Sequence, residues 1–337
     1  MSRITLTGIG DPAANLRLDP DPEPRPPLGP DDVLLRMEAA PVNPVDFLFA
    51  NGWYPVQPSV PGPIGAEGVG RVIGTGPAAD RSLTGKRVVV LGTYEQGVWA
   101  DTVAVPARNV VEVPEGVDAA QLSMAIINPV TAYLLLRDYA DLGPGDWVAQ
   151  TLGNSAVARA VTALARRAGI RTLNVVRSED SAREARETGA DVVLVDGPDL
   201  AERAGAALGG SRLRLVLDGV GGPTAGRLTA ALESGGAVVS YASATGAPPE
   251  IPIGDIVFRD IALRGLWVVN WLHSAPRAEV EKVVAELVGL IAAGELSVPV
   301  DSSYPLDRYQ DALARHRAPG RTGKVLFTFG PSDTAQA

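Results

Sequence analysis

One stretch of the sequence, residues 146–177, restricts the fold of this chain more than any other. A short apolar strand leads into a turn of small residues at 152–156, and the apolar residues after it recur at helical spacing as far as Ala168. Gly169 ends that helix, and a second apolar strand follows at 172–176. The stretch therefore predicts a β-α-β unit with a small-residue turn at the N-terminus of its helix.

The turn indicates a site for the diphosphate of a dinucleotide, because backbone N–H groups and the helix dipole both attract phosphate there. Only Gly153 keeps the glycine pattern of a dinucleotide fingerprint, so a β-α-β unit without a ligand is the alternative. Arg177 follows the second strand, where NAD-binding folds carry an acid, and it favours the 2′-phosphate of NADP. Glu179 and Asp180 come next and keep NAD open as the cofactor.

Composition narrows the class of protein. The chain has 337 residues, 46% of them hydrophobic and 20% charged, which predicts a globular protein of two domains. A net charge of −9 argues against nucleic acid and anionic membrane as partners, and no apolar run is long enough to span a bilayer. The first thirty residues lack the basic start and apolar centre of a signal peptide, so we expect a cytoplasmic protein.

The absence of cysteine removes disulfides, thiol catalysis and thiolate-bound zinc from consideration. The two histidines, His273 and His316, show no metal-ligand spacing, and we interpret them as surface or loop residues. No metal site is predicted. Chemistry must then come from hydroxyls, amides, carboxylates, a Lys or Arg, or a bound cofactor.

The predicted fold class is α/β, with a β-rich domain and a doubly wound parallel sheet. Short strands separated by Pro and Gly occupy residues 3–108, whereas six β runs alternate with helices between 147 and 268. After a long helix the tail returns to the short-strand pattern, so we expect it to complete the first domain. The predicted boundaries are 1–120 for the β-rich domain, 121–295 for the cofactor-binding domain and 296–337 for the returning segment.

Within the β-rich domain, Asn43 is placed to cap a short helix that Pro44 begins. A proline-rich loop then carries two aromatic residues, Trp53 and Tyr54, which could cover a cleft. For Trp53 we favour packing onto its own domain. For Glu67, which lies between small residues, we favour a turn acid satisfied by backbone amides.

With these segments in place, the order of motifs resembles the zinc-free branch of the medium-chain dehydrogenase/reductase superfamily, and within it the 2-enoyl thioester reductases. The resemblance covers residues 3–329. Its motifs are VNPVD at 42–46, GWYP at 52–55, GAEGVG at 65–70, GVWADTVAVP at 97–106, INPVTAYLLL at 127–136, GNSAV at 153–157, LNVVR at 173–177, LDGVGG at 217–222 and FRDIALRGLW at 258–267.

The resemblance implies a GroES-like catalytic domain beside a Rossmann domain, a homodimer, and NADPH as the hydride source. The chain departs from the family at Glu179, where relatives keep a second basic residue, so NADH also stays open as the hydride source. The cofactor contacts that carry over are Asn128, Thr131, Gly153, Asn154, Ser155, Ala156, Val157, Arg177, Ser178, Tyr241, Ala242, Ser243, Ala244, Leu266, Trp267, Val268 and Lys324.

The catalytic residues implied by the resemblance are Tyr54, Trp267 and Asn43. Hydride addition to the β-carbon of an enoyl thioester places negative charge on the thioester oxygen, and the α-carbon must then gain a proton. A tyrosine keeps its O–H at neutral pH, so Tyr54 suits the proton donor. Trp267 could line the acyl chain and exclude water, or could simply pack at the end of a strand.

Two other functions remain open. A quinone or enone reductase uses the same fold and cofactor without needing a tyrosine acid, and a cofactor-binding protein without turnover is a more distant alternative. For the enoyl reductase, the acyl-chain length, the carrier (CoA or acyl carrier protein) and the pathway are open.

Overall fold

The computed structural model describes residues 1–20 and 28–330. The predicted domains also include 21–27 and 331–337, which lie outside the described residues. The described chain forms two compact units, the first from Met1–Ile127 with Val269–Ala337 and the second from Asn128–Val268. Residues 121–127 and 269–295, which the predicted boundaries give to the cofactor-binding domain, therefore belong to the first unit.

The long helix after residue 268 explains much of this difference in boundaries. Arg277 at its start donates hydrogen bonds to the backbone carbonyls of Arg108 (2.7 Å) and Val110 (2.5 Å) in the first unit. The Gln121 side chain likewise donates to the Val298 carbonyl at 2.9 Å. Amphipathic spacing predicts a helix but does not say which domain its apolar face covers.

The first unit begins with strands and short helices. Its elements up to residue 123 are β1 (Arg3–Leu6), α1 (Pro12–Asn15), β2 (Leu16–Asp19), β3 (Asp32–Pro41), α2 (Pro44–Ala50), β4 (Gly62–Pro63), β5 (Gly68–Thr75), β6 (Arg87–Val90), β7 (Thr102–Pro106), β8 (Val110–Glu112) and α3 (Ala119–Ser123), with 3-10 turns at Arg81–Leu83 and Ala107–Asn109.

The middle of the chain alternates strands and helices. It contains α4 (Ile127–Arg137), β9 (Trp147–Gln150), α5 (Ala156–Arg167), β10 (Arg171–Val176), α6 (Glu179–Glu187), β11 (Val192–Val195), α7 (Leu200–Leu208), β12 (Leu213–Asp218), α8 (Pro223–Thr229), β13 (Leu232–Ser240), α9 (Ile253–Arg259), β14 (Ala262–Gly265) and α10 (Val268–Ser274). The remaining elements are α11 (Arg277–Ala292), β15 (Val300–Tyr304), a 3-10 turn at Leu306–Arg308, α12 (Tyr309–Arg317) and β16 (Lys324–Thr328).

The first unit is built around a seven-stranded sheet. The order along it is β15-β16-β3-β5-β6-β8, and β7 pairs with β3. Strand β16 lies antiparallel to β3, with Phe327 opposite Ala40, so the predicted return of the C-terminal segment is confirmed. Buried residues that include Trp99 and Phe327 fill the core of this unit, their rings in edge-to-face contact at 5.0 Å.

The second unit is a six-stranded parallel sheet with helices, in the order β11-β10-β9-β12-β13-β14. Strands β10 and β11 lie on one side of β9, and strands β12, β13 and β14 lie on the other, which is the strand order of a Rossmann fold. The predicted doubly wound sheet is confirmed. Buried residues including Trp147, Leu173 and Val216 form its core.

Two local predictions need correction. Pro129 predicts a helix break at residues 128–129, but the break lies before Ile127, and Pro129 is in the first turn of α4, where its missing N–H is not needed. A strand is predicted over 261–268, but β14 ends at Gly265 and Val268 begins α10. Apolar residues continue across that junction, so their pattern does not reveal it.

No helix among the described residues has the length and apolar character needed to cross a bilayer.

Candidate active site

The predicted cofactor residues of the second unit follow the carboxyl ends of its parallel strands. Gln150 pairs with Asn174 across β9 and β10, and Ser240 pairs with both Asp218 and Gly265 across the other strands. Because the strands are parallel and aligned, the segments after them reach the same edge of the sheet. These segments are 151–157, 177–178, 219–222, 241–244 and 266–268.

The turn between β9 and α5 is held close to β10. The Gly153 N–H donates to the Val175 carbonyl at 2.9 Å, and the Asn174 side chain donates to the Gly153 carbonyl at 2.8 Å. A Cβ at Gly153 would lie 2.8 Å from the Asn174 Cβ, so no other residue fits without a shift. Ser155 caps α5 by accepting from the Ala158 N–H at 3.2 Å, which leaves the first N–H groups of a twelve-residue helix at this edge.

The Asn154 side chain is already paired within the protein, because its amide nitrogen donates a hydrogen bond to Glu184 on α6 at 2.9 Å. Its contribution to an anion site would therefore come from the backbone. Ala156 and Val157 form the first turn of α5, where N–H groups lack intrahelical partners. This part of the turn suits a diphosphate.

Arg177 is exposed at the end of β10, and its side chain has no hydrogen bond or ion pair among the described residues. The two acids that follow it are engaged along their own helix. Asp180 lies 3.1 Å from Arg183, and Glu179 lies 3.7 Å from Arg186. The field of these acids at Arg177 is therefore partly offset, while Ser178 caps α6 by accepting from the Ser181 N–H.

Tyr241 packs against the loop after β12. A Cβ at Gly219 would lie 2.7 Å from the Tyr241 hydroxyl oxygen, so glycine is what allows this approach. The hydroxyl is buried without a hydrogen bond of ordinary geometry among the described residues. Burial raises the pKa of Tyr241 well above its usual range, and the Ser155 hydroxyl opposes that rise.

The segment after Tyr241 is tied to the same loop. The Ala244 N–H donates to the Gly219 carbonyl at 3.0 Å, and Ser243 donates to the Ala247 carbonyl at 2.8 Å. Ala242 is exposed, like Ser243 and Ala244. The loop therefore presents small side chains at the sheet edge.

The remaining predicted contacts of the second unit lie on α4 and after β14. The Asn128 side-chain nitrogen is buried with no hydrogen-bond partner among the described residues, and Thr131 is buried one turn later. Leu266 and Trp267 are half-buried and Val268 is buried. The Leu266 N–H continues the sheet by donating to the Ser240 carbonyl at 2.9 Å.

In the first unit, Tyr54 lies half-buried against a second tyrosine. Its ring centroid is 4.9 Å from that of Tyr94, which in turn packs 5.1 Å from Phe49. The Tyr54 carbonyl accepts a hydrogen bond from the Gln57 side chain at 2.6 Å, which stabilises the loop. Trp53 is 76% exposed, so the expectation that it packs onto its own domain is wrong.

Asn43 and Lys324 meet in a buried polar cluster of the same unit. Lys324 donates to the Asn43 side-chain oxygen, and the Asn43 side-chain nitrogen donates to Glu67 at 3.0 Å. Glu67 also accepts from the Ile127 N–H at 2.8 Å, so its interpretation as an acid satisfied by backbone amides is confirmed. The predicted cap of α2 is present too, with Asp46 accepting from the Asn43 N–H at 2.7 Å.

Burial dominates the electrostatics of this cluster. Desolvation raises the pKa of Asp46 to about 7, although the Asn43 N–H lowers it. Desolvation also raises the pKa of Glu67 and lowers the pKa of Lys324 to about 8, because each charged form loses its hydration. Burial therefore favours the neutral forms of all three side chains, the protonated carboxyls of Asp46 and Glu67 and the unprotonated amine of Lys324.

Comparison with known proteins finds two family models that match successive parts of the chain. The model of the alcohol dehydrogenase GroES-like domain matches residues 29–115, and that of the zinc-binding dehydrogenase matches residues 156–289. The mitochondrial enoyl-acyl-carrier-protein reductase of Xenopus tropicalis is 31% identical over 307 residues, covering 88% of this chain and 87% of that protein. The chain belongs to the medium-chain dehydrogenase/reductase superfamily, in its enoyl reductase branch.

Solved structures of this superfamily share the whole fold. A mycobacterial quinone oxidoreductase, 27% identical, superposes with a TM-score of 0.85 over 97% of this chain and 99% of its own. A mycobacterial protein solved in complex with NADPH is 28% identical, with a TM-score of 0.84 and the same coverage of both chains. The protein is thus an oxidoreductase of the medium-chain dehydrogenase/reductase type.

The second unit of this superfamily member fits an NADP-type dinucleotide. The turn at Gly153 offers helix N–H groups to a diphosphate, and Arg177 offers an unpaired guanidinium to a 2′-phosphate. The unsatisfied Asn128 amide and Tyr241 hydroxyl provide polar atoms for the rest of the molecule. Lys324, in contrast, lies in the first unit, where it donates to Asn43.

The histidines of this medium-chain reductase do not form a metal site. His316 is not a surface residue as expected, because it stacks on Phe47 at 5.0 Å and burial lowers its pKa to about 3. His273 lies 3.9 Å from Glu95. Among residues 1–20 and 28–330, no group of three or more His, Asp or Glu side chains could hold a metal ion.

Several polar residues that shape these sites were not predicted from the sequence. Gln150 and Asn174 are buried on β9 and β10, joined by a hydrogen bond of 2.9 Å that supports the turn at Gly153. A polar residue inside an apolar strand was the available signal, because buried amides need partners. Asp46 and Tyr94 were also missed, and no periodic pattern marks Tyr94.

Proposed function

We propose that this protein reduces the α,β double bond of a 2-enoyl thioester, carried on CoA or acyl carrier protein, with NADPH as reductant and Tyr54 as the proton donor. The relatedness to an enoyl-acyl-carrier-protein reductase over most of both chains supports the substrate class. The observation that carries the proposal is Tyr54 itself, whose phenol is half-buried against Tyr94, a residue with a buried hydroxyl.

Bound NADPH would supply the hydride to the β-carbon of the thioester. Tyr54 then gives its phenolic proton to the α-carbon, and hydrogen bonding by such a hydroxyl stabilises the enolate charge. Asn43 orders the polar cluster below α2, holding Lys324 on one side and Glu67 on the other. Trp267 is assigned to line the acyl chain and exclude water.

The choice of NADPH rests on the second unit. Arg177 is exposed and without a carboxylate partner, whereas Glu179 and Asp180 face arginines of α6. The NADPH complex of the mycobacterial structure agrees with this choice. Use of NADH as well is open, because Glu179 stands where a second basic residue would strengthen the site.

Zinc has no role in the proposed reaction. The chain has no cysteine, and the described residues offer no cluster of ligands for the metal. The family model that matches the second unit carries zinc in its description, so a direct test is useful. Activity should be unchanged after treatment with a chelator, and dependence of activity on added zinc would contradict this part of the proposal.

The test of function is oxidation of NADPH in the presence of crotonyl-CoA, trans-2-decenoyl-CoA or a benzoquinone, each repeated with NADH. We expect turnover of the enoyl-CoA substrates and a loss of about 100-fold or more in Tyr54→Phe, the scale of general acid catalysis. Tyr304→Phe is the matched control, because Tyr304 is a half-buried tyrosine of the same unit that lies on the edge strand β15, with Arg308 over its ring.

A quinone reductase is the second candidate, favoured by the likeness to the mycobacterial quinone oxidoreductase. A reduced quinone takes protons from water, so its formation does not need a tyrosine acid. Turnover of the benzoquinone alone, unaffected by Tyr54→Phe, would establish this alternative. Absence of turnover with every acceptor would favour a cofactor-binding protein.

A homodimer is part of the proposal. Strand β14 forms one edge of the six-stranded sheet, and α9, the helix that precedes it in the chain, exposes apolar side chains. They include Ile253, Val257 and Phe258, which is 85% exposed. An unpaired edge strand can join its own copy about a two-fold axis, and burying this apolar patch would stabilise the pair.

A further inference from the structure

Tyr94 occupies a backbone conformation that tyrosine rarely adopts. Its φ of 64° lies in the left-handed region, which costs free energy for a residue with a Cβ. Strain of this kind persists only where the surroundings hold it, and it is concentrated at functional positions. A glycine would relieve it, so the phenol itself is the feature to explain.

The turn that carries Tyr94 is held by buried amides. The Gln96 side chain donates to the Leu91 carbonyl at 2.9 Å, and the Asn109 side chain donates to the Gln96 side-chain oxygen at 3.0 Å. Both amide side chains are buried. This network fixes the turn and directs the Tyr94 ring between Phe49 and Tyr54.

The Tyr94 hydroxyl is buried and has no hydrogen bond of ordinary geometry among the described residues. The titratable groups that face it are Tyr54, Asp46 and Glu67. Burial, followed by the negative charges of these neighbours, raises the pKa of Tyr94 well above its usual range. Tyr94 therefore keeps its proton when Tyr54 gives one up, and it can only be the donor of the pair.

We propose that Tyr94 is a positioning residue for Tyr54, donating a hydrogen bond from its buried hydroxyl to the Tyr54 hydroxyl oxygen. This inference rests on the proposed function of Tyr54. When the Tyr54 O–H bond breaks and the proton goes to the α-carbon, the negative charge stays on the Tyr54 oxygen, and the Tyr94 O–H stabilises it. Water then returns a proton to Tyr54.

The kinetic test is a cycle of four proteins: wild type, Tyr54→Phe, Tyr94→Phe and the double variant, assayed with crotonyl-CoA and NADPH. One hydrogen bond to a developing phenolate predicts a kcat about tenfold lower in Tyr94→Phe, with the KM of both substrates unchanged. Because Tyr94 acts through Tyr54, the double variant should lose no more than Tyr54→Phe alone. Multiplying effects, or no effect of Tyr94→Phe, would overturn the proposal.

The pH dependence separates positioning from a structural role. A hydrogen bond that stabilises the Tyr54 phenolate lowers the pKa of that phenol, so its loss in Tyr94→Phe should move the alkaline fall of kcat about one unit upward. A variant that merely loosened the fold would lower kcat at every pH and leave the profile in place. Tyr304→Phe is again the control, and its profile should match the wild type.

A spectroscopic titration tests the same hydrogen bond without turnover. The near-ultraviolet absorbance of tyrosinate, measured for wild type minus Tyr54→Phe, reports ionisation of Tyr54. The same difference is then taken in the Tyr94→Phe background, where ionisation should occur about one pH unit higher. Equal midpoints would overturn the inference. If the wild type reduces no enoyl thioester, the proposed function fails while this titration still decides the role of Tyr94.

Discussion

Arg177→Ala gives a direct measure of cofactor selection by the second unit. The guanidinium is exposed at the end of β10 and has no partner among the described residues, so nothing else must be broken before it binds a phosphate. A charge-assisted hydrogen bond from arginine to phosphate contributes about 1.5–3 kcal/mol, and solvent screening of an exposed group favours the lower end. We therefore expect kcat/KM for NADPH to fall roughly tenfold.

The assay compares initial rates with NADPH and NADH at one concentration of crotonyl-CoA. NADH lacks the 2′-phosphate, so its kcat/KM should change less than twofold in Arg177→Ala. Arg212→Ala is a matched control, an exposed arginine just before β12 at the opposite end of the parallel strands, whose loss should leave the ratio between the cofactors nearly unchanged. Equal losses with both cofactors in Arg177→Ala would refute the assignment of Arg177 to the 2′-phosphate.

Three further changes test other parts of the structure. Phe258→Glu should convert a dimer to monomers in sedimentation, because it places a charge at an exposed residue of the apolar patch. Ile73→Glu in the first unit should leave the dimer intact. A dimer that survives Phe258→Glu would show that this patch is not the interface. Gly153→Ala should lower the free energy of unfolding by about 1–3 kcal/mol in urea, because its Cβ meets Asn174, whereas Gly205→Ala meets nothing and should raise it by about 0.5–1 kcal/mol; equal effects would contradict the close packing of the turn. The buried cluster should make the free energy of unfolding depend on pH. This free energy should fall between pH 3.8 and about 7, because unfolding releases the proton that folded Asp46 holds. It should rise between about 8 and 10.5, because unfolded Lys324 binds a proton that the folded form lacks. Lys324→Met should abolish the rise, and an unchanged curve would contradict the lowered pKa.

The second unit was predictable because local patterns determine most of it. Alternating strands and helices define the parallel sheet, and the carboxyl ends of its strands then define the edge that holds Gly153, Arg177 and Tyr241. The ion pairs of Arg183 and Arg186 were harder to predict from the sequence. Their helical spacing from Asp180 and Glu179 is visible, but only the structure shows which acids are engaged and that Arg177 is left exposed.

The first unit was harder to predict because its polar groups come from distant parts of the chain. The hydrogen bonds that join Lys324 to Asn43, and Asn43 to Glu67, cross 281 and 24 residues of sequence. Rules based on residue spacing describe neighbours along one helix or strand, so they do not predict contacts between distant segments of the chain. The same limit explains why α11 was given to the wrong domain, since its amphipathic face is visible but the surface it covers is not.

Tyr94, which contacts the proposed proton donor Tyr54, was as difficult to predict from the sequence as these clusters. Its left-handed φ cannot be inferred from a tyrosine in a loop, because most residues with positive φ are glycine or asparagine. Yet the residues that enforce this conformation, Gln96 and Asn109, are polar and buried, and each is fully engaged with the turn. If the two phenols act together, Gln96→Leu should reproduce the loss of kcat and the alkaline shift of Tyr94→Phe while both hydroxyls are still present. A normal pH profile in Gln96→Leu, with only lowered stability, would show that the turn is needed for folding and not for orienting Tyr54.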